Sequence, residues 1–241
     1  MYLPQLYDIF NEKWKDFQTC WVISDTHFDD ADMREYFHTP AGIEIVKKIN
    51  SKVGKNDMLI VLGDVGNLEC VKKLRGYKVL IAGNHDQGLS NFERKKKSYK
   101  LDCDKYSRDE ALCYVAAKHP GDKLYITKCY DVQHAPFEYW YVCADNQLFD
   151  EVYGGVLVVG PKLVLSHEPI ECSWAFNLCG HVHLKEYNGD KYHKPLCAEK
   201  LGFEPINLNQ WLKNSGALAS VDSIHRAAID RANARRYDKV K

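Results

Sequence analysis

Seven side chains able to bind a divalent metal, Asp25, His27, Asp64, Asn84, His167, His181 and His183, stand just after short apolar runs of the chain. The runs are Cys20-Trp21-Val22-Ile23-Ser24, Leu59 to Gly63, Val79 to Gly83, Leu163 to Ser166 and Leu178 to Gly180. Neutral imidazole nitrogen suits zinc, iron, nickel and copper, whereas carboxylate and amide oxygen suit magnesium and manganese, so the mixed set describes a site for first-row divalent metals. Seven ligands exceed what one tetrahedral ion accepts. They fit two ions that share a bridging carboxylate and keep open positions, at the ~3.5–4 Å separation of two-metal hydrolases.

Positioning such a set is the task of the elements between the motifs. Short β-branched runs bounded by polar punctuation read as buried strands, and open α/β sheets build their sites at the carboxyl ends of such strands. The ligands are therefore expected to converge at one rim. Ala41 to Val53, with Ile45, Ile49 and Val53 on one face, predicts the crossover helix between the first two ligand strands, and Leu68 to Leu74 a short helix before the third. Residues 1–18 predict an amino-terminal helix with Pro4 in its first turn and an apolar stripe of Leu3, Tyr7, Phe10, Trp14 and Phe17.

As motifs the ligands read Asp25-Thr26-His27, Gly63-Asp64, Gly83-Asn84-His85-Asp86, Ser166-His167 and Gly180-His181-Val182-His183. Each alone is commonplace: the third is also an ordinary turn sequence, and the last could be a strand with both histidines on one face. In this order and spacing, from about Thr19 to about His183, they resemble the calcineurin-like metallophosphoesterase family. The small stand-alone bacterial and phage members also begin Ser-Asp-Thr-His-Phe and read Gly-Asp-Val-Gly, as residues 24–28 and 63–66 do here.

The resemblance implies a four-layer α-β-β-α sandwich, two mixed sheets with flanking helices, in one domain over residues 1–241. It implies one ion held by Asp25, His27, Asp64 and His183, and a second held by Asp64, Asn84, His167 and His181, with Asp64 as the bridge. The ions would be manganese, iron, zinc or nickel, and a hydroxide bridging them the nucleophile. A centre left with net positive charge selects an anionic substrate, so the implied activity is hydrolysis of phosphate mono- or diesters of small molecules or nucleotides. The neighbouring enzyme reading is a metal-dependent nuclease on short nucleic acids. A non-catalytic metal-binding scaffold of the same fold is the reading from another class, and the filled ligand positions speak against it.

His85 takes the place of the family's general acid, and an imidazole with an ordinary pKa near ~6.5 suits proton transfer around neutrality. Many members read Gly-Asp-x-x-Asp, the second aspartate pairing with that histidine; here Asn67 stands in its place. An asparagine can orient an imidazole but brings no charge, and Asp86 is the carboxylate left to compensate. Purple acid phosphatases carry a tyrosine ligand at the position of Asn67, so no tyrosinate-to-iron colour is expected.

Residues 90–155 separate Asn84 from His167 and are expected to form a cap-like insertion that chooses the substrate. Within it, Arg94-Lys95-Lys96-Lys97 reads as a loop whose charge steers a phosphorylated or nucleic-acid substrate, Arg94 and Lys95 foremost, or as a solvated face. Strands are expected at Lys123 to Ile126 and Phe137 to Val142, and no aromatic stacking platform is evident beside the basic run. Cys103, Cys113, Cys129 and Cys143 lack the spacing of a zinc finger.

The 241 residues can bury one sizeable core, and the 33 basic and 33 acidic side chains cancel, so no global field draws the chain to a polyanion or an anionic membrane. Nucleic acid is thus the less favoured partner. Nine cysteines without a Cys-x-x-Cys pair argue against a disulfide scaffold, and without a signal peptide or long apolar span the cytoplasm is the expected location. Residues 213–241 are expected to form a terminal helix, capped at Ser220-Val221-Asp222, and a frayed tail. The sequence leaves the oligomeric state open.

Overall fold

The computed structural model describes residues 6–131, 137–172, 175–183 and 192–214. Leu3, Pro4 and the helix expected near Ser220 lie outside them. Along the chain come α1 (Asp8–Trp14), β1 (Cys20–Ile23), α2 (Ala31–Phe37), α3 (Gly42–Lys52), β2 (Met58–Val61), α4 (Leu68–Val71) and β3 (Tyr77–Ile81). Then follow β4 (Lys96–Asp102), α5 (Arg108–Lys118), β5 (Lys123–Asp131), β6 (Phe137–Asp145), β7 (Glu151–Tyr153) and β8 (Leu157–Gly160). The last are β9 (Leu163–Leu165), β10 (Phe176–Cys179), β11 (His193–Pro195), β12 (Ile206–Asn207) and α6 (Leu208–Asn214).

Two mixed sheets form the body. One has the order β12-β1-β2-β3-β7, parallel except for β12; the other has the order β11-β10-β9-β8, parallel except for β8. Their facing sides interlock through Cys20, Val22, Met58, Ile60, Val79 and Ile81 on one and Val159, Leu163, Leu165, Phe176 and Leu178 on the other. Alternate residues Ile23, Leu59, Val61 and Leu80 point the opposite way, onto Ile45, Val46 and Ile49 of α3 and Cys70 and Val71 of α4. Burial on both faces is why these strands read as continuous apolar runs rather than alternating ones. Val164, on the outer side of the second sheet, lies under Ile170, Cys172 and Ala175. The result is the calcineurin-like sandwich that the motifs implied.

The crossover helix runs close to its expected bounds, with Ala41 as N-cap and Val53 as C-cap. The first helix is shorter than expected. Trp14 is buried and Phe10 and Phe17 pack on the inter-sheet core, but Leu6 completes the stripe, because Tyr7 is the N-cap and largely exposed. No helix among the described residues is long and apolar enough to cross a membrane.

What aligns the two sheets at the rim is a backbone seam. Leu196 N donates to Cys179 O at 2.7 Å, Ser24 N to Leu196 O at 2.9 Å and Ala198 N to Ser24 O at 2.9 Å, so the segment after β11 hydrogen-bonds to the ends of both β10 and β1. The carboxyl ends of the ligand strands are thereby held side by side.

β4, β5 and β6 build a third sheet, antiparallel in the order β4-β6-β5, with Ala111 and Val115 of α5 packed against Leu101, Val142 and Ala144. The two expected strands lie inside the longer β5 and β6. The basic run is not a loop, since Lys96 and Lys97 open β4. Nor does Arg94 reach for a substrate. Its guanidinium grips Asp145 through Nε at 2.9 Å and Nη2 at 2.6 Å, and Asp150 through Nη1 at 2.6 Å. Beside it the buried Lys78 donates to the carbonyls of Gln147 and Val71. Burial pulls the Lys78 ammonium down to about 8, against the charge of Asp150. Two cations and two carboxylates thus close the joint between β3 and the insertion. Lys95 uses its backbone amide on Asn146 Oδ1 at 2.9 Å and exposes its side chain.

Removing Arg94 from this joint leaves the buried Asp145 with the Gln147 amide at 2.9 Å and Lys96 at 4.0 Å in place of a bidentate guanidinium. Arg94→Ala is therefore expected to lower the unfolding free energy by about 3 kcal/mol, near the low end for a buried pair because the guanidinium is partly exposed. Denaturant melts check this, with KM for a phosphate ester unchanged. A raised KM at unaltered stability would put Arg94 back at the substrate.

Candidate metal centre

Two groups of electron pairs meet at the rim. Asp25, His27 and His183 bring a carboxylate oxygen and two ring nitrogens within 4.8 Å of one another, and Asp64, His167 and His181 do the same beside them. Asn84 joins the second group, its Oδ1 lying 2.9 Å from His167 Nε2 and 3.2 Å from His181 Nδ1. Asp64 stands between the two, with Oδ2 3.7 Å from His27 Nε2 and 3.2 Å from His167 Nε2.

The outer hydrogen bonds fix which ring nitrogens face inward. His167 Nδ1 lies 2.9 Å from the carbonyl of Leu62, which can only accept, so that nitrogen keeps a proton and Nε2 is the one whose lone pair an ion would take. His183 Nδ1 donates to Glu199 Oε1 at 3.1 Å, leaving Nε2 3.8 Å from Asp25 Oδ1. His27 Nδ1 faces Asp30 at 3.5 Å, and its buried Nε2 has no hydrogen-bond partner. An outer nitrogen tied to an acceptor with an inner one turned toward other ligand atoms is the arrangement of metal-binding imidazoles. An orphaned buried nitrogen and a ring of facing lone pairs cost free energy unless a cation lies among them. The donor set therefore fits divalent metal ions.

Without an ion, a proton must do that work. Burial opposes the charged imidazole of His167, but the hydrogen bond it gives to Asp64, the charge of Asp25 and the Leu62 carbonyl outweigh it and push His167 up to about 9. His183 is raised by its hydrogen bond to Glu199 against the pull of burial. For Asp64, burial is overcome by His167, the His85 amide and His27, which hold its carboxyl below the usual carboxylate range.

Convergence requires unusual backbone. Asp25, His27, Asp64 and His181 have φ of 51°, 37°, 52° and 67°, in the left-handed region that costs a residue with a Cβ about 1–2 kcal/mol. Neighbouring amides hold them there: Asp25 N donates to Gly63 O and His27 N to Asp64 O, each at 3.0 Å. His181 N donates to Asp25 Oδ2, also at 3.0 Å. Two glycines permit the approach. A Cβ at Gly83 would collide with the Asp64 carboxylate, and one at Gly180 with Ser24 and Asp25.

His85 belongs to neither group. It is exposed, its amide donates to Asp64 Oδ1 at 3.0 Å, and its ring lies 5.7 Å from that of His27. Asn67 does not orient it, contrary to expectation. Its Oδ1 accepts from Glu69 N at 3.0 Å as the N-cap of α4, and its Nδ2 donates to Asp29 at 3.0 Å. Asp86 does not pair with His85 either. Its buried carboxylate accepts from the amides of Asp64 at 2.8 Å, Val65 at 3.0 Å and Gly83 at 2.9 Å, which locks the turn carrying Asp64.

Glu199, which orients His183, escaped the sequence. It lies 16 residues beyond that histidine, and only the seam at Ser24 and Cys197 brings it back to the rim. A cavity of about 260 Å³ opens beside Asn84 and His167, bounded by Val156, Glu168 and Ile170. A larger one, about 670 Å³, lies at β12 and α6 and is lined by no ligand of the rim.

The family model for calcineurin-like phosphoesterases matches residues 19–198. Among curated proteins none matches the chain. A crystal structure of a protein of unknown function from Aquifex aeolicus is similar at 19% identity, over 81% of this chain and 98% of that one, with a TM-score of 0.48.

Metal and proton compete for the same electron pairs, so pH decides the contest. His167, raised to about 9, stays protonated below that value in the metal-free chain, and an ion must displace the proton. Metal affinity is expected to fall as pH falls, by up to about tenfold per unit for each proton displaced. The raised value also stabilises the metal-free fold. That contribution is complete below the unfolded pKa of about 6.5 and lost as pH rises through the folded value. In chelator, thermal stability should therefore decline from neutral to alkaline pH, and zinc or manganese should restore it. Calorimetric titration with the same affinity at pH 6 and pH 8 would contradict the competition.

Proposed function

Since the chain belongs to the calcineurin-like phosphoesterase family and is a metal-dependent hydrolase of phosphoester bonds, we propose that it cleaves small phosphate esters, nucleotides included, with two divalent ions at the rim. Asp25, His27, Asp64 and His183 hold one, and Asp64, Asn84, His167 and His181 the other. One observation carries the reading. A single carboxylate oxygen, Asp64 Oδ2, faces His27 Nε2 at 3.7 Å and His167 Nε2 at 3.2 Å, so one side chain serves both groups. Manganese, iron, zinc and nickel all suit the nitrogen and oxygen donors.

Ions bound there supply Lewis acidity toward a phosphate oxygen and lower the pKa of bound water, to roughly 7 at catalytic zinc. The chain's own side chains do the rest. Asp86 and the seam keep the ligands in place, and the nearby cavity, at about 260 Å³, suits a small ester rather than a long polymer. His85, exposed at the edge of the ligands and outside both groups, gives a proton to the departing oxygen. Among the described residues no carboxylate is hydrogen-bonded to its ring, so it donates without a charged partner.

An alkyl phosphate needs that proton and a nitrophenyl ester barely does. His85→Ala is expected to slow the alkyl ester by about 10²-fold or more and the nitrophenyl ester by far less, the usual range for general acid catalysis being ~10²–10⁴. Chelation should abolish turnover of both. Equal losses on the two esters would make His85 a binding residue, and hydrolysis that survives chelation would remove the metal reading itself.

A further inference from the structure

The sheet of the insertion has two unlike faces. Leu101, Val142 and Ala144 turn toward α5. By alternation and register, Lys96 and Lys100 of β4, Lys123 and Tyr125 of β5 and Tyr139 and Tyr141 of β6 lie on the other side. Tyr125 and Tyr141 are 45% and 38% exposed, unusual for large rings in the middle of a sheet. Their positions are nevertheless fixed. Tyr141 Oη donates to Ser98 Oγ at 2.7 Å, which lays the ring across the β4–β6 pair. Lys123 Nζ stands 5.2 Å from the centre of the Tyr125 ring and Lys100 Nζ 5.0 Å from that of Tyr139, which holds positive charge beside aromatic surface.

Lys100 is the charge in the middle of this face, while Lys96 and Lys123 flank Asp145 in register at one end. Among the described residues neither Lys100 nor Lys123 has a carboxylate partner. Asp145, 4.0 Å from Lys96, is buried and already bound by Arg94. Asp102 and Asp131 lie on the two outer strands at the opposite end of the sheet, in register with Tyr139 and Phe137 of β6.

We propose that this face binds single-stranded nucleic acid, with bases stacking on Tyr125 and Tyr141 and backbone phosphates meeting Lys96, Lys100 and Lys123. Exposed rings beside ammonium groups, of which Lys100 and Lys123 have no carboxylate partner among the described residues, match a chain that alternates flat bases with regular negative charge. A duplex hides its base faces, and a neutral or basic protein surface has no use for the lysines. An antiparallel sheet with a helix behind and aromatic residues in front is a recurrent frame for reading single strands. The zero net charge of the chain does not oppose this, because screening makes the relevant field local. The surface is independent of the metal reading, since no rim ligand takes part in it.

Fluorescence polarisation of labelled 20-nucleotide oligothymidylate and oligouridylate probes, with the full chain in EDTA so that nothing is hydrolysed, tests the proposal. Binding is expected, with a log–log salt slope of about −2 for contacts from three lysines at ~0.7 each. Replacing Tyr125 and Tyr141 together by Ala should weaken it by about 25-fold or more, from roughly fivefold or more per stacked base. Changing both tyrosines to Phe should largely preserve it. Lys96→Gln, Lys100→Gln and Lys123→Gln combined should weaken binding and flatten the slope. Metal-loaded hydrolysis of a nitrophenyl ester should stay within about twofold in all these variants, which also certifies that they fold. Absence of binding to either probe, binding indifferent to the tyrosine and lysine changes, equal affinity for duplex, or self-association through this face in place of oligonucleotide binding would each overturn it.

Discussion

Repulsion among electron pairs at the rim is the constraint that the rest of the molecule answers. Two carboxylates, an amide oxygen and four imidazole nitrogens are driven together with no hydrogen atom of their own to place between most of them. His27 Nε2 shows the cost most plainly, being buried without a partner. Such a cluster persists only if the scaffold is stiffer than the repulsion is strong. Four ligands in left-handed backbone conformations, the three amides gathered by Asp86 and the seam through Leu196 and Ser24 supply that stiffness. The sandwich core, buried on both sides of the first sheet, anchors the turns from below.

Much of this could be read from the sequence because each ligand is local to its strand. An apolar run followed by Gly-Asp, Gly-Asn-His or Gly-His-x-His states both the strand and its cargo within a few residues. Side chains whose roles depend on distant contacts were harder to read. Asn67 caps α4 and binds Asp29, and nothing in its neighbourhood distinguishes that from orienting His85. Glu199 reaches His183 only through the fold of the seam. Arg94 looked like a substrate residue because it opens a basic run, whereas Asp145 and Asp150, which claim it, lie more than fifty residues along the chain.

The insertion resisted reading for a different physical reason. Its sheet buries one face against a single helix, so in β4 only Tyr99 and Leu101 are apolar, set between Ser98, Lys100 and Asp102, and no solid apolar run marks the strand. The capping box of Ser107 and Glu110 is the local signal that starts α5. Once built, the unit is not a loose cap. Phe92 and Phe149 at its base belong to the core beneath the first sheet, and the cluster of Arg94, Lys78, Asp145 and Asp150 fastens it to β3. A unit held this firmly can carry a surface of its own while the rim carries the chemistry.

The central claim is that Asp64 serves two metal ions at once. Anomalous diffraction from crystals of the manganese- or zinc-loaded protein tests it most directly. Two peaks ~3.5–4 Å apart, the spacing of two-metal hydrolases, with the Asp64 carboxylate between them, are the predicted result. A single peak at either group, with the other ligands closed by hydrogen bonds instead, would contradict it.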